Sequence, residues 1–219
     1  MEMYMNFLDR FARKHPRFGI NNLMLHVTIL TAIVFVVQNV FGRDIISWMY
    51  LNRELVFGMQ LWRLVSFLFI PATNSIFWIF ITLYFYYFLG SALENAWGTC
   101  KFNLFYLFSA LGTIVAALVF GGIYSGFYVN LSIFLAFAAL YPEQEFMVFF
   151  ILPVKAKWLA LLDGVYLGYN FIMGLLTRNW SIPLAILASL TGFLLFFGGD
   201  VIGGIKAYIR RQRYRRRLK

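Results

Sequence analysis

Long runs without a charged residue alternate with short charged stretches along this chain. Residues 18–42, 64–93, 102–142 and 179–199 carry no charge at all, and residues 158–177 carry one, Asp163. The run at 102–142 is too long for one membrane crossing. It is interrupted at 121–126 by GGIYSG, a turn-forming stretch, which predicts two helices at 102–120 and 127–141. Pro71 lies near the start of the second run, so that helix is expected to begin near Ala72. Six apolar helices result, most close to the ~20 residues that cross a bilayer core.

The fourth helix is short. At ~1.5 Å per residue it reaches about 22 Å, against a hydrocarbon core of about 30 Å. Glu143 and Glu145, just beyond Pro142, fix its charged end. Its other end is therefore expected to start inside the bilayer, where backbone must be buried in protein or line a wet cavity. Ser132 then lies roughly 14 Å from the charged end, near mid-membrane. Two connections are too greasy to float in water. Residues 43–63 are expected to lie in the interface, with Trp48, Tyr50 and Trp62 at headgroup level. The apolar centre of the second, residues 146–152, is too short to cross and is expected on or in the inner leaflet.

Composition agrees with lipid as the solvent. The chain is 62% hydrophobic and 13% charged, too few charges to cover a soluble domain of this size. The net charge of +10 does not indicate nucleic acid, because the cations sit at the chain ends and turns. With both termini cytoplasmic, fifteen Lys and Arg fall inside and four (Arg43, Arg53, Arg63 and Arg178) outside. The expected organisation is a cytoplasmic segment at 1–19, a six-helix membrane domain at 20–203, and a basic cytoplasmic tail at 204–219 that rests on anionic lipid. No cleavable signal peptide is expected. Cys100 is the single cysteine, which leaves no internal disulfide.

Two sequence words carry a family resemblance. LWRLVSFLF contains Trp62 and Arg63 in the loop after the first helix, and LGSALENAWG places Gly90, Glu94 and Gly98 at steps of four, with Tyr106 following. Together with six helices and a short fourth one, these resemble the rhomboid superfamily and, more distantly, the Derlins. The resemblance implies an all-α, six-helix bundle. The compact form of the chain and the lack of an organelle signal in it point to a prokaryotic cell membrane. In rhomboid proteases a Gly-x-Ser-Gly serine on the fourth helix is activated by a histidine on the sixth, and a histidine and an asparagine on the second help hold the oxyanion. Here Ser132 falls on the nucleophile position, flanked by Asn130 and Ile133 instead of glycines. Ser189 stands at the base position, and Trp78 and Thr82 stand at the oxyanion positions.

The same conclusion follows without a family. A serine hydroxyl needs a base within hydrogen-bond reach to become a nucleophile. The two histidines, His15 and His26, precede or begin the first helix, and no lysine lies within a span. Ser132 therefore reads as a small residue in a packed helix, bonded back to a carbonyl. No catalytic residue, cofactor or metal is expected. Small residues at Ser181, Ala185 and Ser189 are expected to seat the sixth helix on the fourth at Ser132 and Ala136. Gly90 and Glu94 read as architecture, the glycine admitting a neighbouring chain and the carboxylate accepting bonds from the loop or Lys101.

Client binding between the second and fifth helices is the function this resemblance implies. Tyr84 to Phe88 and Tyr166, Tyr169 and Asn170 would line that gap. Membrane lipids and transmembrane client proteins are the expected partners. Three other readings compete: an active serine protease using Ser132, an aspartyl intramembrane protease pairing Asp163 with Asp200, and a small-solute transporter. The expectation for each aspartate is a plainer one, pairing with Lys155, Lys157 or Lys206, or reaching interfacial water.

Overall fold

The computed structural model describes residues 14, 18–41, 44–148, 152–178 and 180–194. His15, Asp200, Lys206 and the basic tail lie outside the described residues. Six helices carry the fold: α1 (Leu23–Phe41), α2 (Ile76–Trp97), α3 (Thr99–Phe120), α4 (Phe127–Leu140), α5 (Ala156–Leu176) and α6 (Ser181–Ser189). Four of them, α1, α2, α3 and α5, are long and apolar enough to cross a membrane. α6 is followed by a further helical turn at 191–194, and its expected extension to 199 lies outside the described residues.

Helix ends differ from the sequence expectation where tertiary partners satisfy polar groups. α2 was expected to end at residue 93, yet it continues through Glu94 to Trp97. Glu94 Oε1 accepts from the Asn22 amide at 3.0 Å and the Thr99 hydroxyl at 2.9 Å, so the carboxylate ties the start of α1 to the α2–α3 turn. Gly98 forms that turn with φ +83°, a conformation in which a Cβ would be strained. Its amide donates to the Glu94 carbonyl, and α3 begins at the next residue. One turn back, Met24 of α1 packs directly onto Gly90, where a Cβ would collide with it.

α3 lies at the centre. More than half (56%) of its most apolar stretch is buried, against 11% for α5 at the rim. α4 is buried on most of its surface, including Val129, Ile133, Ala136 and Phe137. It packs against α2, α3, α5 and α6, which explains why it has no polar face. The expected seating of α6 on α4 needs correction. α4 does touch α6, but the more extensive partner of α6 is α3. A Cβ on Gly112 of α3 would strike the Ala188 carbonyl, and a Cβ on Gly192 would strike Ser109 and the Phe105 carbonyl. The close approach needs small residues on both helices, and α3 supplies Ser109 and Gly112 facing α6.

Two short ladders modify the all-helical expectation. β1 (Leu51–Asn52) pairs antiparallel with β2 (Ile123–Tyr124), joining the first loop to the α3–α4 turn. β3 (Glu145–Val148) pairs with β4 (Leu152–Lys155) between α4 and α5. The α4–α5 connection is thus a hairpin. A two-stranded hairpin is marginal by itself, so its ends must be held. Phe146 packs among Phe85, Phe88 and Phe137 at ring separations of 5.3, 6.0 and 5.6 Å. At the base Glu143 bridges Lys155 at 2.7 Å and Lys157 beside it.

Those two ammonium groups, Lys155 first, hold the Glu143 carboxyl down to about 2. A depressed carboxyl contributes fully above its ordinary value of 4.5, and the contribution is lost as pH falls toward about 2. The pair is largely exposed, so the effect is local. Carboxyl-carbon NMR of Glu143 should show a midpoint near 2. Replacing both Lys155 and Lys157 by methionine should return it toward 4.5.

Candidate functional site

Ser132 sits in the second turn of α4 and is fully buried. The helix begins where the first loop covers it. The Gly126 amide donates to the Phe67 carbonyl at 2.8 Å, and a Cβ on Gly126 would press on Leu68. Phe67 is itself fully buried beside Leu51, Val56 and Tyr124. The short helix therefore has its first turn covered by protein.

The Ser132 hydroxyl donates to the Val129 carbonyl at 2.7 Å, three residues earlier. That bond occupies the proton a general base would have to take. No His, Lys, Asp or Glu contacts this oxygen among the described hydrogen bonds and ion pairs. His26 lies in the first turn of α1 with Nδ1 3.0 Å from the Asn22 carbonyl, so its ring is engaged at the end of α1 that Glu94 ties. Ser189 closes α6, and α6 touches α4. Trp78 is about half-exposed on the outside of α2 with its ring edge-on to Phe77, and the Thr82 hydroxyl donates to the Trp78 carbonyl at 2.9 Å. Neither side chain faces Ser132 through a described bond. The described residues contain no cluster of three or more His, Cys, Asp or Glu able to hold a metal ion.

The site that does converge was not legible beforehand. Asn130, one turn from the start of α4, is buried, and its side chain lies beside the Tyr86 hydroxyl of α2. Tyr86 in turn neighbours the buried Tyr106 of α3. Asn130 Oδ1 and the Tyr106 hydroxyl have no hydrogen-bond partner among the described residues. Three helices thus meet at a polar cluster of two phenols and one amide. It contains no group that ionises near neutral pH, so it offers polarity and hydrogen bonding but no proton acceptor for a serine. The signal for it was Tyr86 within YFYYF, which only the helical register distinguishes from Tyr84 and Tyr87.

The loop motif is architectural. Arg63 is buried, and its guanidinium donates to the carbonyls of Ser47 at 2.9 Å and Tyr50 at 2.8 Å and to Gln60 Oε1 at 2.7 Å. Trp62 Nε1 donates to the Trp48 carbonyl at 3.2 Å. The indole rings of Trp48 and Trp62 remain largely exposed, together with Phe57, Met59 and Val65.

α2 and α5 flank α4 without an extensive contact between them among the described residues. The aromatic residues expected along that gap divide. Phe85 and Phe88 pack inward on Phe134, Phe137 and Phe146, whereas Tyr84, Tyr166 and Tyr169 are exposed. The Asn170 amide donates to the Tyr166 carbonyl at 2.8 Å, its own helix. Lys155 and Lys157 both bind Glu143, so neither is the expected partner of Asp163. No protein-family model and no curated protein matches this sequence.

Proposed function

We propose that this chain is a rhomboid-like, six-span membrane protein that binds transmembrane segments of client proteins and has no serine-protease activity. In this reading both termini are cytoplasmic and the membrane is that of a prokaryotic cell. The observation that carries it is the Ser132 hydroxyl, sealed in the packing and committed to the Val129 carbonyl. An alcohol so placed lacks the base that nucleophilic catalysis needs. The Trp62–Arg63 loop and the Gly90–Glu94–Gly98 turn support the scaffold part of the reading, since each holds its neighbours by specific bonds. The gap flanked by α2 and α5, with exposed Tyr84 and Tyr169, supports the binding part.

The test is crosslinking in native membranes through a photoreactive residue at Tyr84 or Tyr169. Covalent adducts with discrete membrane proteins are expected at both positions and not at Val36, which is exposed on α1 away from the gap. Adducts with lipid alone at all three positions would contradict client binding.

A further inference from the structure

A row of phenylalanine rings marks the seam between α2 and α4. Phe85 of α2 pairs with Phe134 of α4 at 5.7 Å between ring centroids, and Phe88 pairs with Phe137 at 5.8 Å. Both partners advance by three residues, so the two helices run in the same direction and the pairs form two tiers of one seam. Phe146, carried by β3, lies across both tiers. Its ring meets Phe85 and Phe88 edge-on at 5.3 and 6.0 Å, an arrangement aromatic pairs prefer, and Phe137 at 5.6 Å. Tyr84 stacks on Phe88 at 6.3 Å and is exposed, so the row continues to the open surface of α2. Phe88 and Phe85 stand nine and twelve residues before Trp97 at the end of α2, ~14–18 Å along the helix and near the middle of an apolar core about 30 Å thick.

The hairpin that carries Phe146 is lightly held. β3 follows α4 after a short turn and β4 runs directly into α5, so a hairpin whose ring reaches α2 crosses the gap that α2 and α5 flank. Its base is fastened to its own turn: the Ala156 amide donates to the Gln144 carbonyl at 2.7 Å, and the Lys157 amide to the Pro142 carbonyl at 3.2 Å. A two-stranded hairpin is marginal by itself, and the exposed ion pairs of Glu143 add little. Its seated position therefore depends on the ring of Phe146.

We infer that the seat of Phe146 is a binding site for an aromatic side chain on the membrane-spanning helix of a client, filled by the hairpin itself when no client is bound. Phe146 identifies the chemistry the seat accepts, an apolar ring presented edge-on to Phe85 and Phe88. A client binds by exchanging its own ring for Phe146, entering past the exposed Tyr84. The inference rests on the client-binding reading and adds to it the feature that selects a client.

The test uses the full chain in lipid nanodiscs and two synthetic Leu-Ala transmembrane helices, one with Phe and one with Leu at mid-length, and association is read by energy transfer. Phe146→Ala is expected to bind the Phe helix about tenfold more tightly than the unaltered protein does, the gain expected if Phe146 leaves its seat about one tenth of the time. The Leu helix, with no ring to fill the seat, should gain little. Phe146→Leu keeps an apolar side chain without the ring, should shift binding in the same direction, and covers the case in which Phe146→Ala fails to fold. In Phe85→Cys/Phe146→Cys, with Cys100→Ser removing the native thiol, a short bismaleimide should tie the hairpin to α2 and abolish the binding of the Phe helix seen before cross-linking. Unchanged or weaker binding of the Phe helix by the Phe146 variants overturns this inference and leaves client binding standing. So does an equal gain for both helices, and so does binding that survives the cross-link. Failure of both helices to bind any form of the protein overturns both readings.

Discussion

Arg63→Ala is expected to destabilise the protein by on the order of 3 kcal/mol and to unravel the first loop before the helices. The guanidinium satisfies the Ser47 and Tyr50 carbonyls and Gln60 Oε1 from a buried position. Its removal leaves three acceptors facing a cavity, and an acceptor buried without a donor costs more than the bond contributed. Arg63→Lys should rescue only part of this. A single ammonium cannot reproduce the planar fork that reaches acceptors in two directions. Thermal unfolding in lipid nanodiscs measures the loss. Limited proteolysis should locate the first cleavage between Ile45 and Gln60, and cleavage first between β3 and β4 would contradict the assignment.

Gly112→Leu is the second large effect. The neighbour here is the Ala188 carbonyl, a backbone atom that cannot turn aside. A side chain must push α6 away from α3 and break the close packing that Gly112 and Gly192 permit, at a cost of about 1–3 kcal/mol or more. Gly90 makes a comparison. A Cβ there would meet Cγ and Cβ of Met24, and the second is fixed to the α1 backbone. Gly90→Ala should therefore push α1 from α2 and lower the unfolding temperature, as Gly112→Ala does, whereas Gly164→Ala, with nothing within 4 Å of its Cβ, should not. A loss at Gly164→Ala as large as at Gly112→Ala would contradict the packing argument.

The apolar runs made the helices legible, and their limits follow from what lies elsewhere in the chain. α3 and α4 begin or end within a few residues of the expected positions because GGIYSG and Pro142 are local signals. α2 overran its expected end because the Glu94 carboxylate accepts hydrogen bonds from Asn22 and Thr99, partners no local pattern reveals. β1 and β2 have two residues each and are separated in the chain by stretches that include α2 and α3, so no alternation exists to read. The hairpin β3–β4 was hidden by its apolar centre, which reads equally as a membrane-dipping segment. For α6 the small residues were visible, but small-residue spacing does not name its partner. Ser109 and Gly112 on α3 carry the same signal as Ser132 and Ala136 on α4. The polar cluster of Tyr86, Tyr106 and Asn130 depends on three helical registers at once, which is why single-segment reading missed it.

The proposed absence of serine-protease activity depends on whether the buried alcohol of α4 can react. The direct measurement is intact-mass analysis of the purified protein in nanodiscs after exposure to a fluorophosphonate. The account predicts no adduct on Ser132 in the folded protein, because its oxygen is enclosed and its proton is held by the Val129 carbonyl. A stoichiometric adduct that maps to Ser132 and disappears in Ser132→Ala would contradict it.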